Sequence, residues 1–288
     1  MTGHLIKDLL HDNMQSLTPT ERQLASALLR DYPVPGLQSI TKFADEAEVS
    51  TPTVIRMARK LGFDGFPALQ AALRAEVSDQ IKKPMSKHAG WHTNADVGHT
   101  INQFAASLSA NVQASLERLD TQTFDTVAGL LADPDRALFL AGGRITRSNA
   151  DYFYNHLQII RPEVTLLAQS PNVWPQYILD MNEHSILIVF DIRRYEKHLH
   201  KLAELALKKG STIILFTDQW GSPISQIATH TFHAQVEAPS AWDSTIVIMF
   251  YLEALIAEAQ NRSFDSSRAR IETLEAMFSQ TKIFRKIE

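Results

Sequence analysis

From residue 1 to about 77 the pattern of apolar positions is helical, which predicts helices and no strand. The stretch LTPTERQLASALLRDYP, 17–33, sets Thr18-Pro19 ahead of Glu21, the composition of a capped helix entry. Leu24, Ala27 and Leu28 then share one face, and Pro33 and Pro35 stop the helix. A short helix over about 40–47 carries Ile40, Phe43, Ala44 and Ala47. A tight Glu48-Val49 connection leads to Ser50, a favoured N-cap residue, and to a second helix over about 51–61 that Gly62 ends.

The rhythm is lost over 78–95, SDQIKKPMSKHAGWHTNA, which predicts a linker. Beyond it, short apolar runs at 137–143, 164–168, 185–190, 212–216 and 229–235 alternate with helical patterns at 100–118, 123–132, 147–160, 172–180, 196–209 and 242–260. Such alternation indicates strand-helix-strand units and a mainly parallel five-stranded sheet covered by helices on both faces. The tail spaces Ile271, Leu274, Met277 and Phe278 as one side of a final amphipathic helix. The expected organisation is multi-domain: an all-α head at 1–77, a linker at 78–95, an α/β unit at 96–262 and a C-terminal helix at 263–288.

Composition changes this picture little. At 288 residues with 44% apolar and 21% charged side chains, the chain has the make-up of an ordinary soluble protein with a real core. No apolar run reaches the length of a membrane span, and the first residues lack a secretion pattern, so the cytoplasm is the expected location. The absence of cysteine excludes disulfides and thiolate chemistry. The histidines form no ligand frame, so neither a metal nor a cofactor is expected. A net charge of -4 points to no nucleic acid, and any such function must rest on local pattern.

That pattern lies in the second helix of the head. Wound at the α-helical period, Val54, Met57, Ala58 and Leu61 fall on one face, and Pro52, Thr53, Arg56, Arg59 and Lys60 on the other. Between Val49 and Phe63 there are bases and no acid. Two helices joined by a short turn, the second basic on its outer face, are the elements of a helix-turn-helix. Ser50, Thr51 and Thr53 then lie at the end that enters the groove. Arg56 suits a base edge, and Arg59 and Lys60 suit phosphates. The competing explanation is a solvated charged face, since acids and bases nearly balance across 1–77.

The segment VSTPTVIRMARKLGFDGFPALQAAL, together with LTPTERQLASALL before it, closely resembles the helix-turn-helix of the RpiR/MurR family of bacterial transcriptional regulators over about 17–73. The resemblance implies that a sugar isomerase (SIS) domain follows the linker, where the α/β pattern stands. SIS domains carry Gly-x-Gly-x-Ser and, four residues on, Ala. Gly142, Thr146 and Ala150 keep that frame, with Thr146 for the serine and Arg144 for the second glycine.

Ligands of open parallel sheets sit beyond the carboxyl ends of the strands. Gly142, Gly143, Arg144, Thr146 and Arg147 lie at one such end. Asp191, Arg193 and Arg194 lie at the next, in FDIRRYEKH, where the family implies a Ser/Thr-rich phosphate loop and this chain has none. Either the two arginines supply the charge for an anion, or Asp191 pairs with one of them and the site is degenerate. At a third place, Asp243 is expected to cap the last helix, with Ser244 and Thr245 in its first turn.

The expected function is a regulator and not an enzyme. It binds double-stranded, palindromic operator DNA as a homodimer or dimer of dimers, and its SIS domain senses a small anionic metabolite such as a phosphosugar, a carbohydrate derivative or a carboxylate. The alternatives are a sugar-phosphate isomerase, with Glu183, Glu196 or His198 as base, and a regulator whose SIS domain only dimerises.

Overall fold

The computed structural model describes residues 5–81 and 99–282, and the chain divides into two compact units, Met1–Lys83 and Pro84–Glu288. The first consists of α1 (Ile6–Asn13), α2 (Pro19–Arg30), α3 (Val34–Leu37), α4 (Ile40–Glu46), α5 (Thr51–Lys60) and α6 (Phe66–Ile81). A reciprocal cap starts α2: the Glu21 amide donates to Thr18 Oγ1, and the Thr18 amide donates to the Glu21 carboxylate at 2.9 Å. Gly62, at φ +90°, takes the left-handed conformation that ends α5. Leu24, Leu28, Phe43, Val54, Met57 and Leu69 are all fully buried in one shared core, so each helix contributes the stripe its spacing predicts. Helix α6 runs on to Ile81, past the predicted start of the linker at 78, because no breaker precedes Pro84. The rest of 78–95 lies outside the described residues.

The second unit is α/β. Helices α7 (Thr100–Leu116) and α8 (Thr121–Ala132) lead into β1 (Ala137–Gly142), α9 (Arg147–Ile160), β2 (Val164–Leu166), α10 (Trp174–Asp180), β3 (Ser185–Phe190), α11 (Lys197–Lys208), β4 (Thr212–Asp218), β5 (His230–Ala234), α12 (Ile246–Arg262) and α13 (Phe264–Thr281). The predicted five-stranded sheet forms, in the order β2-β1-β3-β4-β5, with every pair parallel. Helix α13 stops short of the predicted 288, and 283–288 lies outside the described residues.

The central strands β1, β3 and β4 are apolar on both sides because both faces are covered. Ile186, Ile188 and Phe190 of β3 join α8, α9 and α12 on one face, while Leu187 and Val189 join α10 and α11 on the other. Register places Phe190 beside Phe216 and Phe216 beside Phe232. Their rings stack at 5.0 and 4.8 Å, and Phe153 of α9 meets the first two edge-on. This aromatic ladder underlies the carboxyl edge of the sheet, and the order reverses between β1 and β3, where open α/β sheets hold their ligands.

Candidate DNA-reading helix and ligand cleft

Helix α5 turns Val54, Met57 and Ala58 inward and leaves Pro52, Arg56, Arg59 and Lys60 exposed. Two members of its predicted outer face behave differently. Thr53 is buried, 3% exposed, and its hydroxyl meets Ser50 Oγ at 3.0 Å and accepts from Arg56 Nη2 at 3.1 Å. Ser50 occupies the N-cap position, but its side chain caps no backbone amide, because it is spent on Thr53. The Thr53 hydroxyl therefore braces the turn and steadies Arg56 from a buried position, while Ser50 stays exposed beside it. Lys60 reaches the buried Glu21 carboxylate at 2.6 Å, fastening α5 to α2. Burial works against the charge of Glu21, but the bonds from Lys60 and Thr18 and the charge of Lys60 together outweigh it and hold the carboxyl below its usual range. Thr51 is half-buried, and Arg59 stands clear.

In the second unit the predicted residues do gather at the carboxyl edge. Gly142 is required by close approach, since a Cβ there would lie 2.6 Å from the Thr146 carbonyl oxygen. The buried Thr146 hydroxyl donates to the Phe190 carbonyl at 2.6 Å and accepts the Gly143 amide at 2.9 Å, tying the loop after β1 to the end of β3. Arg147 donates to the Leu167 carbonyl, and Arg144 and Arg194 are exposed.

The FDIRRYEKH loop departs from both expectations, at Arg193 and at Asp191, while Arg194 stays exposed. Arg193 is not available to an anion. Its side chain is 3% exposed, with Nε and Nη2 at 2.8 and 2.6 Å from the two oxygens of Asp243, and its guanidinium lies 4.2 Å over the Trp220 ring. Burial opposes its charge, yet the bond to Asp243 raises its pKa. Nor does Asp191 pair with an arginine: it accepts from Ser222 Oγ and from the Glu196 amide. Burial pushes the Asp191 carboxyl up to about 6, although the Ser222 bond pulls the other way. Asp243, predicted as a helix cap, is instead the partner of Arg193. Thr245 takes the N-cap position of α12 without a side-chain bond, and Ser244 Oγ accepts the Ile246 amide at 3.3 Å.

Two further carboxylates shape this edge in roles the sequence does not reveal. Glu196 Oε1 accepts the Arg144 amide at 2.7 Å and lies 2.8 Å from where a Cβ on Gly143 would be. Asp218 accepts from the amides of Arg193, Trp220 and Gly221 and from Tyr195 Oη, and burial raises its pKa. Acid-then-glycine in TDQWG is a turn signal, but nothing in it reveals partners across β3. Of the candidate bases, Glu183 precedes β3 and so lies at the opposite, amino edge of the sheet. His198 is exposed on α11, and Glu196 is held by the Arg144 amide. Among the described residues no group of three or more acids or histidines could hold a metal ion, and no helix is long and apolar enough to cross a membrane.

Comparison with known proteins matches both units. The family described as helix-turn-helix domain, rpiR family, matches residues 5–80, and the SIS domain family matches 130–258. An uncharacterised HTH-type transcriptional regulator of Clostridium perfringens is 22% identical over 91% of this chain and 95% of its own length. The HTH-type transcriptional regulator GlvR of Bacillus subtilis is 19% identical over 90% and 94%. The solved structure of Vibrio vulnificus NanR complexed with ManNAc-6P superposes with a TM-score of 0.55 at 16% identity, covering 96% of this chain and 99% of that one. At that identity the likeness is one of fold.

Proposed function

The chain belongs to the RpiR family of helix-turn-helix transcriptional regulators with a SIS domain, and on that premise we propose that α5 reads an operator half-site while the SIS unit senses a small anionic metabolite. One observation carries the DNA half of this reading: α5 buries an apolar stripe and leaves Arg56 and Arg59 exposed, with no acid between Val49 and Phe63. Arg56 is steadied by Thr53 for a base edge, and Arg59 is placed for a phosphate. The protein works as a homodimer on a palindromic operator. Trp242, Ile246 and Phe250, exposed at the start of α12, supply an apolar surface for the second copy.

For the effector, the exposed Arg144 and Arg194 bring positive charge to the carboxyl edge, and the phosphosugar bound by NanR is a model of the ligand's chemistry. The loop after β3 supports a second reading. With Arg193 committed to Asp243 and Glu196 on the Arg144 amide, the edge is already satisfied by internal carboxylates, as a SIS unit that only dimerises would be.

Two measurements test these readings. Binding of the full chain to its own upstream DNA is expected to be far tighter than to random duplex at physiological salt, and equal affinities would defeat the regulator proposal. A thermal-shift panel of phosphosugars, sugar acids and other small anions is expected to raise the melting temperature for one class. Silence across the panel would favour the dimerisation module.

A further inference from the structure

Ile55 interrupts the polarity of the outer side of α5. It stands one helical turn from both Thr51 and Arg59 and next in sequence to Arg56. It is half-buried, yet it lies outside the apolar cluster that holds Val54, Met57 and Ala58 and that gathers even the partly exposed Ile40, Val49 and Phe63. Helix formation does not call for it, since a β-branched residue is a weaker helix former than the leucine, lysine or glutamine that an exposed position could carry. An apolar group beside two exposed arginines, on a face without acids, fits a partner that is anionic overall and apolar at a point. In the major groove of B-DNA the apolar group is the 5-methyl of thymine. We propose that Ile55 is a specificity-determining residue that packs on the 5-methyl group of one thymine in the operator half-site, beside the base read by Arg56. This rests on α5 being the recognition helix.

The test removes the methyl group and leaves the protein untouched. Duplexes are enriched from a random pool on the full-length protein, and each thymine of the winning half-site is replaced singly by deoxyuridine. One replacement is expected to weaken binding about fourfold, the value of one buried methyl-sized group, and the others to change little. Ile55→Ala is expected to lose a similar factor on the thymine operator and to be indifferent to that deoxyuridine. An unchanged melting curve and salt slope will show that the variant keeps its fold and its phosphate contacts. Tight operator binding with a flat deoxyuridine scan, or an Ile55→Ala variant that keeps the full penalty, overturns the role of Ile55 and leaves α5 as the recognition helix. Failure to enrich any operator removes the recognition helix itself, and this inference with it.

Discussion

At the scale of single residues, the carboxyl edge of the sheet is organised by carboxylates more than by arginines. Arg193 and Asp243 are a bidentate pair whose cationic partner is almost wholly buried, with Glu237 a second, longer partner of the guanidinium at 3.6 Å, so removing Arg193 leaves a cluster of carboxylates without its cation. Arg193→Ala is expected to cost about 3 kcal/mol in urea unfolding. Converting both residues to apolar ones of similar size is expected to cost less than the single change, and equal or larger losses would show that the pair matters beyond charge balance. Asp191 predicts a pH dependence. Burial raises its folded pKa to about 6, above the unfolded carboxyl, so its contribution is fully present below about pH 4 and is lost as pH rises through about 6. The loss amounts to about 3 kcal/mol, and Asp191→Asn, which keeps an acceptor for the Glu196 amide, should remove that share of the slope between pH 4 and 7.

At the scale of elements, the basic residues of α5 differ in their surroundings. Arg59 is free to meet phosphate, whereas Lys60 is engaged with Glu21 in the head. Arg59→Ala is therefore expected to weaken DNA binding uniformly across sequences and to lower the salt slope by about one. Lys60→Met should do less to that slope and should instead destabilise the head by about 1 kcal/mol. Its effect has the opposite pH sense to that of Asp191. The depressed Glu21 pKa gives stability that is present above the unfolded carboxyl pKa and is lost as pH falls through the folded one. If Lys60→Met matches Arg59→Ala in salt slope, the lysine serves DNA after all.

At the scale of the whole molecule, the prediction concerns assembly. Trp242 is 58% exposed, Ile246 46% and Phe250 40%, more apolar surface at one helix start than solvent contact alone explains. Phe250→Lys is expected to convert a dimer to monomers in light scattering and to weaken operator binding, because two half-sites must be held at once. A dimer that survives this change places the interface elsewhere.

The sequence by itself determined the elements and their order. Helical periodicity over 17–77, five apolar runs and the breakers between them are local properties, and local physics suffices to read them. It also disclosed α5 as an amphipathic basic helix, because one turn of helix converts spacing directly into faces. Tertiary structure alone decided who pairs with whom. Asp243 lies 50 residues from Arg193, Glu196 meets the Arg144 amide from 52 residues away, and Lys60 reaches Glu21 across 39. Such partnerships depend on how the elements pack, which carries no local signature, and so the sequence could place Thr53 on an outer face and Arg193 at an anion site, where the fold gives them Arg56 and Asp243 as internal partners.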